Sequence, residues 1–116
     1  MSFKFEKLKV WEKSIELSFH IHELTREFPK EELYILTSQI KRAADSVSLN
    51  IAEGSTGQSN PEFSKFLGYA IRSGIEVIGC LFIGKKRGLI SESKIKSLYD
   101  ETEIIVKRIQ GLRKSL

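Results

Sequence analysis

Gln39, Arg42, Ser46, Asn50 and Glu53 recur at intervals of three, four, four and three residues. That rhythm puts all five on one face of an α-helix. Amides, hydroxyls and one charge of each sign hydrogen-bond one another in a partly buried place, whereas a face turned to water carries mostly Lys and Glu. A second polar line, Glu62, Lys65, Tyr69, Arg72 and Glu76, follows at similar spacing. If the two segments fold back on each other about residues 54–59, Arg42 falls opposite Arg72 and Ser73, one turn from Glu76. The pattern predicts a buried polar network of Gln39, Arg42, Ser46, Asn50, Glu53, Ser73 and Glu76. Arg42 and Glu76 would be its ion pair, with Gln39 and Ser73 completing the hydrogen bonds. Such a pair adds little net stability, costs roughly 3–5 kcal/mol to break, and fixes register. A solvated polar face is the competing reading.

Cations suggest a second kind of chemistry. In an up-down bundle the chain start, the loop at 54–59 and the chain end share one pole. That pole collects Lys4, Lys7, Lys9, Lys107, Arg108, Arg113 and Lys114 against Glu6, Glu53 and Glu62. Cations closing a helix are favoured by its dipole, while Lys7 and Lys9 near a helix start oppose it and are more informative. Repeated around an oligomer, the surface would attract phosphates, so RNA or DNA is the expected partner. Charge kept for solubility is the alternative.

Catalytic and metal motifs are missing. Bundle metal sites use Glu-x-x-His pairs, and neither His20 nor His22 stands three residues after a glutamate. Cys80 lies in an apolar stretch without a basic neighbour and reads as buried and inert. The glycines near residue 54 follow a helix and not a strand, so they are no phosphate loop. No arginine is followed four to six residues later by histidine, the arrangement of small helical toxin RNases. The expectation is a protein with no enzymatic activity, no cofactor and no metal.

Four helical segments must position these groups. The first, 5–28, carries two apolar stripes, Val10, Leu17, Ile21, Leu24 and Phe28 beside Leu8, Trp11, Ile15 and Phe19. So wide an apolar face can pack on its own bundle and on a second subunit, which makes Trp11, Ile15 and Phe19 the expected oligomer interface. The second runs 29–53, with Pro29 at a first helical position and Gly54 as a left-handed stop. Ser59 and Glu62 form a capping box for the third, which Gly88 ends near residue 87. Gly68, Gly74, Gly79 and Gly84 should permit close helix approach. The fourth starts at Ser91, and Ile95, Leu98, Thr102, Ile105, Ile109, Leu112 and Leu116 make a bundle seam. The fold class is all-α, one up-down-up-down antiparallel four-helix bundle spanning residues 1–116.

Composition agrees. The chain has 116 residues, 41% hydrophobic and 29% charged, with a net charge of +4. A single domain of this size buries roughly two-thirds of its unfolded surface, so no disulfide or metal staple is needed. One cysteine cannot pair within the chain, and neither an export leader nor a run of about 18 apolar residues stands out. The expectation is a cytoplasmic protein with no membrane partner.

The residues Phe5-x-x-Leu8-x-Val10-Trp11, Phe28-Pro29-x-Glu31-x-x-Tyr34-x-Leu36-Thr37-Ser38-Gln39-Ile40-x-Arg42-Ala43, Ser46-Val47-x-x-Asn50-Ile51-Ala52-Glu53-Gly54 and Glu62-Phe63-x-x-Phe66-Leu67 resemble the bacterial four-helix bundle proteins encoded in intervening sequences of 23S rRNA genes. The resemblance implies an up-down bundle assembled into a homopentameric ring. The family is similar to accessory proteins of diversity-generating retroelements, barrel-shaped pentamers that bind a reverse transcriptase and nucleic acid. It implies no enzymatic activity. Arg72-Ser73 and Gly79-Cys80-Leu81 depart from its pattern, so helix three can pack differently. The functional expectation is an oligomeric scaffold that binds RNA or another nucleic acid. The alternative is a protein-only adaptor, and a small RNase stands third.

Overall fold

The computed structural model describes residues 3–116. It is an all-helical bundle, 85% helical: α1 (Lys9–Thr25), α2 (Ser38–Ser55), α3 (Asn60–Lys86) and α4 (Glu92–Lys114). Each helix packs on its neighbours in sequence and α4 closes back on α1. The body measures 43 × 22 × 22 Å, and its long dimension is set by α3, about 40 Å at 1.5 Å per residue.

Alternating stripes of large aliphatics build the core. Leu17 and Ile21 of α1, Ile40, Val47 and Ile51 of α2, Leu67 and Val77 of α3 and Ile109 of α4 are fully enclosed. Cys80 is buried among them. Burial, with the Glu76 charge behind it, raises its thiol pKa, so the sulfur stays protonated.

Two of the expected helices are interrupted. The first segment is a 3₁₀ turn at Lys4–Lys7 and then α1, with Leu8 extended between them. The second opens as a 3₁₀ turn, Lys30–Glu32, and a wider π turn, Leu33–Thr37, before α2 begins. Pro29 is extended and caps the 3₁₀ turn; it is not a first helical residue. The Glu32 carboxylate holds this region. It accepts from the Leu36 N–H and from Arg87 Nη1 at 2.9 Å, tying the turn to the far end of α3.

Helix ends follow the sequence at α3 and α4. Ser59 accepts from the Glu62 N–H and Ser91 from the Lys94 N–H. Gly88 has φ +73°, and the bonds from Leu89 N–H to the Gly84 carbonyl and from Gly88 N–H to the Lys85 carbonyl make the left-handed stop expected there. Gly54 does something else. It lies inside α2, buried, and a Cβ there would come 2.6 Å from the Phe66 Cβ. Its role is to let α2 and α3 touch, and α2 ends one residue later. Gly74 and Gly84 likewise admit Val106 and Ile90, while Gly79 faces open space.

Candidate nucleic-acid interface

The α2–α3 seam contains part of the expected polar network. Ser73 donates to Ser46 across the seam at 2.9 Å, and Asn50 donates to the Ser46 hydroxyl and carbonyl at 2.9 Å; all three are half-buried. Gln39 donates to Glu76 at 3.0 Å, but both are exposed. Arg42 and Glu53 are exposed as well, and Arg42 makes no ion pair with Glu76 among the described residues. The expected buried ion pair is therefore corrected to a short, half-buried hydroxyl–amide chain. Long side chains on a bundle's outer seam reach water at little cost, and a charged pair has no reason to give up that hydration.

Both histidines tie α1 to its neighbours. His20 meets Glu101 of α4 at 2.9 Å. His22 meets Asp45 of α2 at 3.1 Å, and Ser18 donates to the same carboxylate. Asp45 Oδ1 thus joins the Ser18 hydroxyl and the His22 ring of α1 to α2. Among the described residues no three metal-ligating side chains gather in one place.

The expected basic pole divides among four places. Lys4 sits over the Phe63 ring, 4.9 Å from its centre, at the foot of α3. Lys7 and Lys9 are exposed at the start of α1. Arg108 turns toward α1 and shares a groove with Lys13, Glu16, His20 and Glu101, where the acids offset it. Lys107, Arg113 and Lys114 turn the other way, into an open groove of about 910 Å³ between α3 and α4. A second hollow of about 450 Å³ adjoins it on the α3 side, sharing Ser64, Ile71 and Arg113, and holds two cations absent from the expected set, Lys65 and Arg72; the two hollows together form the α3–α4 groove. The antiparallel pairing sets the levels: Gly68 meets Arg113 and Gly74 meets Val106. Lys107 thus stands level with Arg72, and Lys114 with Lys65.

No carboxylate lines this groove among the described residues. Lys107 has Glu103 at 3.9 Å, while Lys65, Arg72, Arg113 and Lys114 belong to none of the ion pairs among the described residues. Arg113 is placed with care: its Nε donates to Ser64 Oγ at 3.0 Å. The signal that could have found Lys65 and Arg72 is their seven-residue spacing, matched by Lys107 and Lys114 on α4. Two turns return a side chain to nearly the same face.

Several large apolar side chains are exposed. Trp11 is half-buried and packs edge-on against Phe5, 4.9 Å between ring centres. Ile15 and Phe19, expected with it at an interface, are 43% and 62% exposed, and Ile104 of α4 is exposed too. Ile75, Phe82 and Ile83 are exposed on the second half of α3. That helix is long and apolar enough to cross a membrane by length and composition, and 33% of its most apolar stretch is buried inside the bundle. The π turn presents Leu33, Tyr34 and Ile35 to water, Tyr34 at 90%.

The 23S rRNA-intervening sequence protein family model matches residues 6–111. This chain belongs to that family. Its fold is also that of a crystal structure of a protein of unknown function from the S23 ribosomal protein family of Bacteroides thetaiotaomicron VPI-5482. The two are 24% identical and superpose with a TM-score of 0.84 over 90% of this chain and 95% of the other. No curated protein matches the chain. The family match takes in α1, α2, α3 and α4 as far as Gly111, so it covers Lys65, Arg72 and Lys107 of the groove and stops short of Arg113 and Lys114.

Proposed function

We propose that this protein is a non-catalytic, oligomeric scaffold that binds RNA or another nucleic acid through the α3–α4 groove. One observation carries the reading: five cations from two helices, Lys65, Arg72, Lys107, Arg113 and Lys114, line a groove without a lining carboxylate. Like charges held together raise one another's energy, and a polyanion that displaces their counterions relieves it. Binding of labelled RNA across a salt series tests this. Five engaged cations give a slope of log K against log salt of about −3 to −4. Affinity indifferent to salt, or unchanged in Arg72→Glu with Lys107→Glu, argues against the groove.

Self-association fits the apolar exposure. A head-to-tail ring joins two different patches on each copy. The outer faces of α1, with Ile15 and Phe19, and of α3, with Ile75, Phe82 and Ile83, lie on diagonal helices of the bundle and point away from each other. A homopentamer is the state that the family resemblance implies. The second reading, an adaptor for a protein partner, is favoured by the exposed Leu33, Tyr34 and Ile35 beyond the opposite end of the bundle from Arg113. A pull-down that depends on Tyr34 and not on the groove cations would favour it.

A further inference from the structure

We infer that the groove takes single-stranded rather than duplex nucleic acid, gripping a phosphate with Arg113 and stacking a base on Tyr69; this rests on the nucleic-acid reading above. Arg113 is pre-set for the first task. Ser64 accepts from its Nε, and the guanidinium lies across α3 at Gly68, where a Cβ would come 3.1 Å from Nη2 and 3.2 Å from Nη1. Any larger residue there would push the plane aside by at least a few tenths of an ångström. With Nε engaged and no carboxylate paired to it, the Nη1 and Nη2 donors remain for a phosphate, which an arginine fork meets with two parallel bonds.

Tyr69 supplies the second task. It is 41% exposed and lines the groove with Lys65 four residues before it and Arg72 three after. Its ring is braced edge-to-face by Phe66, 5.6 Å between centres at 80°, and Lys65 covers the other aromatic, 5.4 Å from the Phe66 ring centre. An aromatic set among cations in an open groove is how single strands are held, because a π-face accepts any base. A duplex keeps its bases stacked inside and offers the ring only backbone, so Tyr69 would add nothing to its binding. The groove also lies between two helices and projects no element that could enter the groove of a duplex.

Fluorescence anisotropy with a labelled strand of about 16 nucleotides, alone and annealed to its complement, tests this on the full chain. The single strand is expected to bind about tenfold tighter than the duplex. Tyr69→Ala should cost the single strand about tenfold and leave the duplex unchanged, while Tyr69→Phe keeps the wild-type affinity. Gly68→Ala, which crowds the guanidinium at 3.1 Å, should weaken the single strand a little with the helical circular dichroism unaltered, and Arg113→Ala should weaken it more. Equal affinity for strand and duplex, or a Tyr69→Ala protein that still prefers the single strand, overturns the inference while leaving the groove's charge reading intact. Failure to bind either form removes both.

Discussion

At the scale of single residues, side chains that look alike in sequence separate by their surroundings. Ser46, Asn50 and Ser73 are half-buried and bonded to one another, whereas Arg42, on the same stripe, is exposed. Replacing Ser73 with Ala leaves the Ser46 hydroxyl short of a partner and should cost about 1 kcal/mol. Arg42→Met should stay within about 0.5 kcal/mol, as for other surface changes; urea titrations of both variants check this. Cys80 has a definite pH signature. Its thiol pKa is raised above the ordinary 9.0 by burial first and the Glu76 charge second. Above pH 9.0 the unfolded chain has lost that proton while the folded chain keeps it, so stability falls as pH rises past that point. Cys80→Ala should lose stability less steeply between pH 8 and 10 than the wild type, measured by denaturant midpoints at each pH.

At the scale of helices, glycines serve packing more than punctuation. Gly54 sits where α2 meets α3, and Ala there must push the Phe66 Cβ from 2.6 Å. Overpacking of this kind costs about 1–3 kcal/mol. Gly111 of α4 has nothing within 4 Å, so Gly111→Ala should stabilise the helix by up to about 1 kcal/mol. Thermal melts of the pair should therefore move in opposite directions. The four helices were legible in the sequence because aliphatics recur at three and four residues in every one of them. The breaks at Leu8 and across Leu33–Thr37 were not, because the apolar spacing continues through both. The Glu32 carboxylate that receives the Leu36 N–H and Arg87 comes into play only once α3 has folded back.

At the scale of the molecule, the exposed apolar faces of α1 and α3 make a specific demand. If they join copies head to tail, light scattering of the wild type gives a multiple of the 13.3 kDa chain mass, and Phe19→Glu and Phe82→Glu each lower it. Mixing the two variants should restore one joint between unlike copies, because each keeps the patch the other has lost. A wild-type mass equal to one chain leaves the ring without support.

Periodicity by itself determined the helix count, the fold class, the buried aliphatics and the seam hydroxyls, because a 3.6-residue repeat fixes which side chains share a face whatever lies opposite. It also marked Lys107, Arg113 and Lys114 as cations closing a helix. Only the tertiary structure decided that Arg113 joins Lys65 and Arg72 in one hollow while Lys107 and Lys114 line the next, that Arg108 turns away toward Glu16 and Glu101, and that Gln39 rather than Arg42 takes Glu76. The reason is rotational. A helix sequence specifies its own faces, but which face meets which neighbour depends on how α3 and α4 pack, where Gly74 leaves the room that Val106 fills.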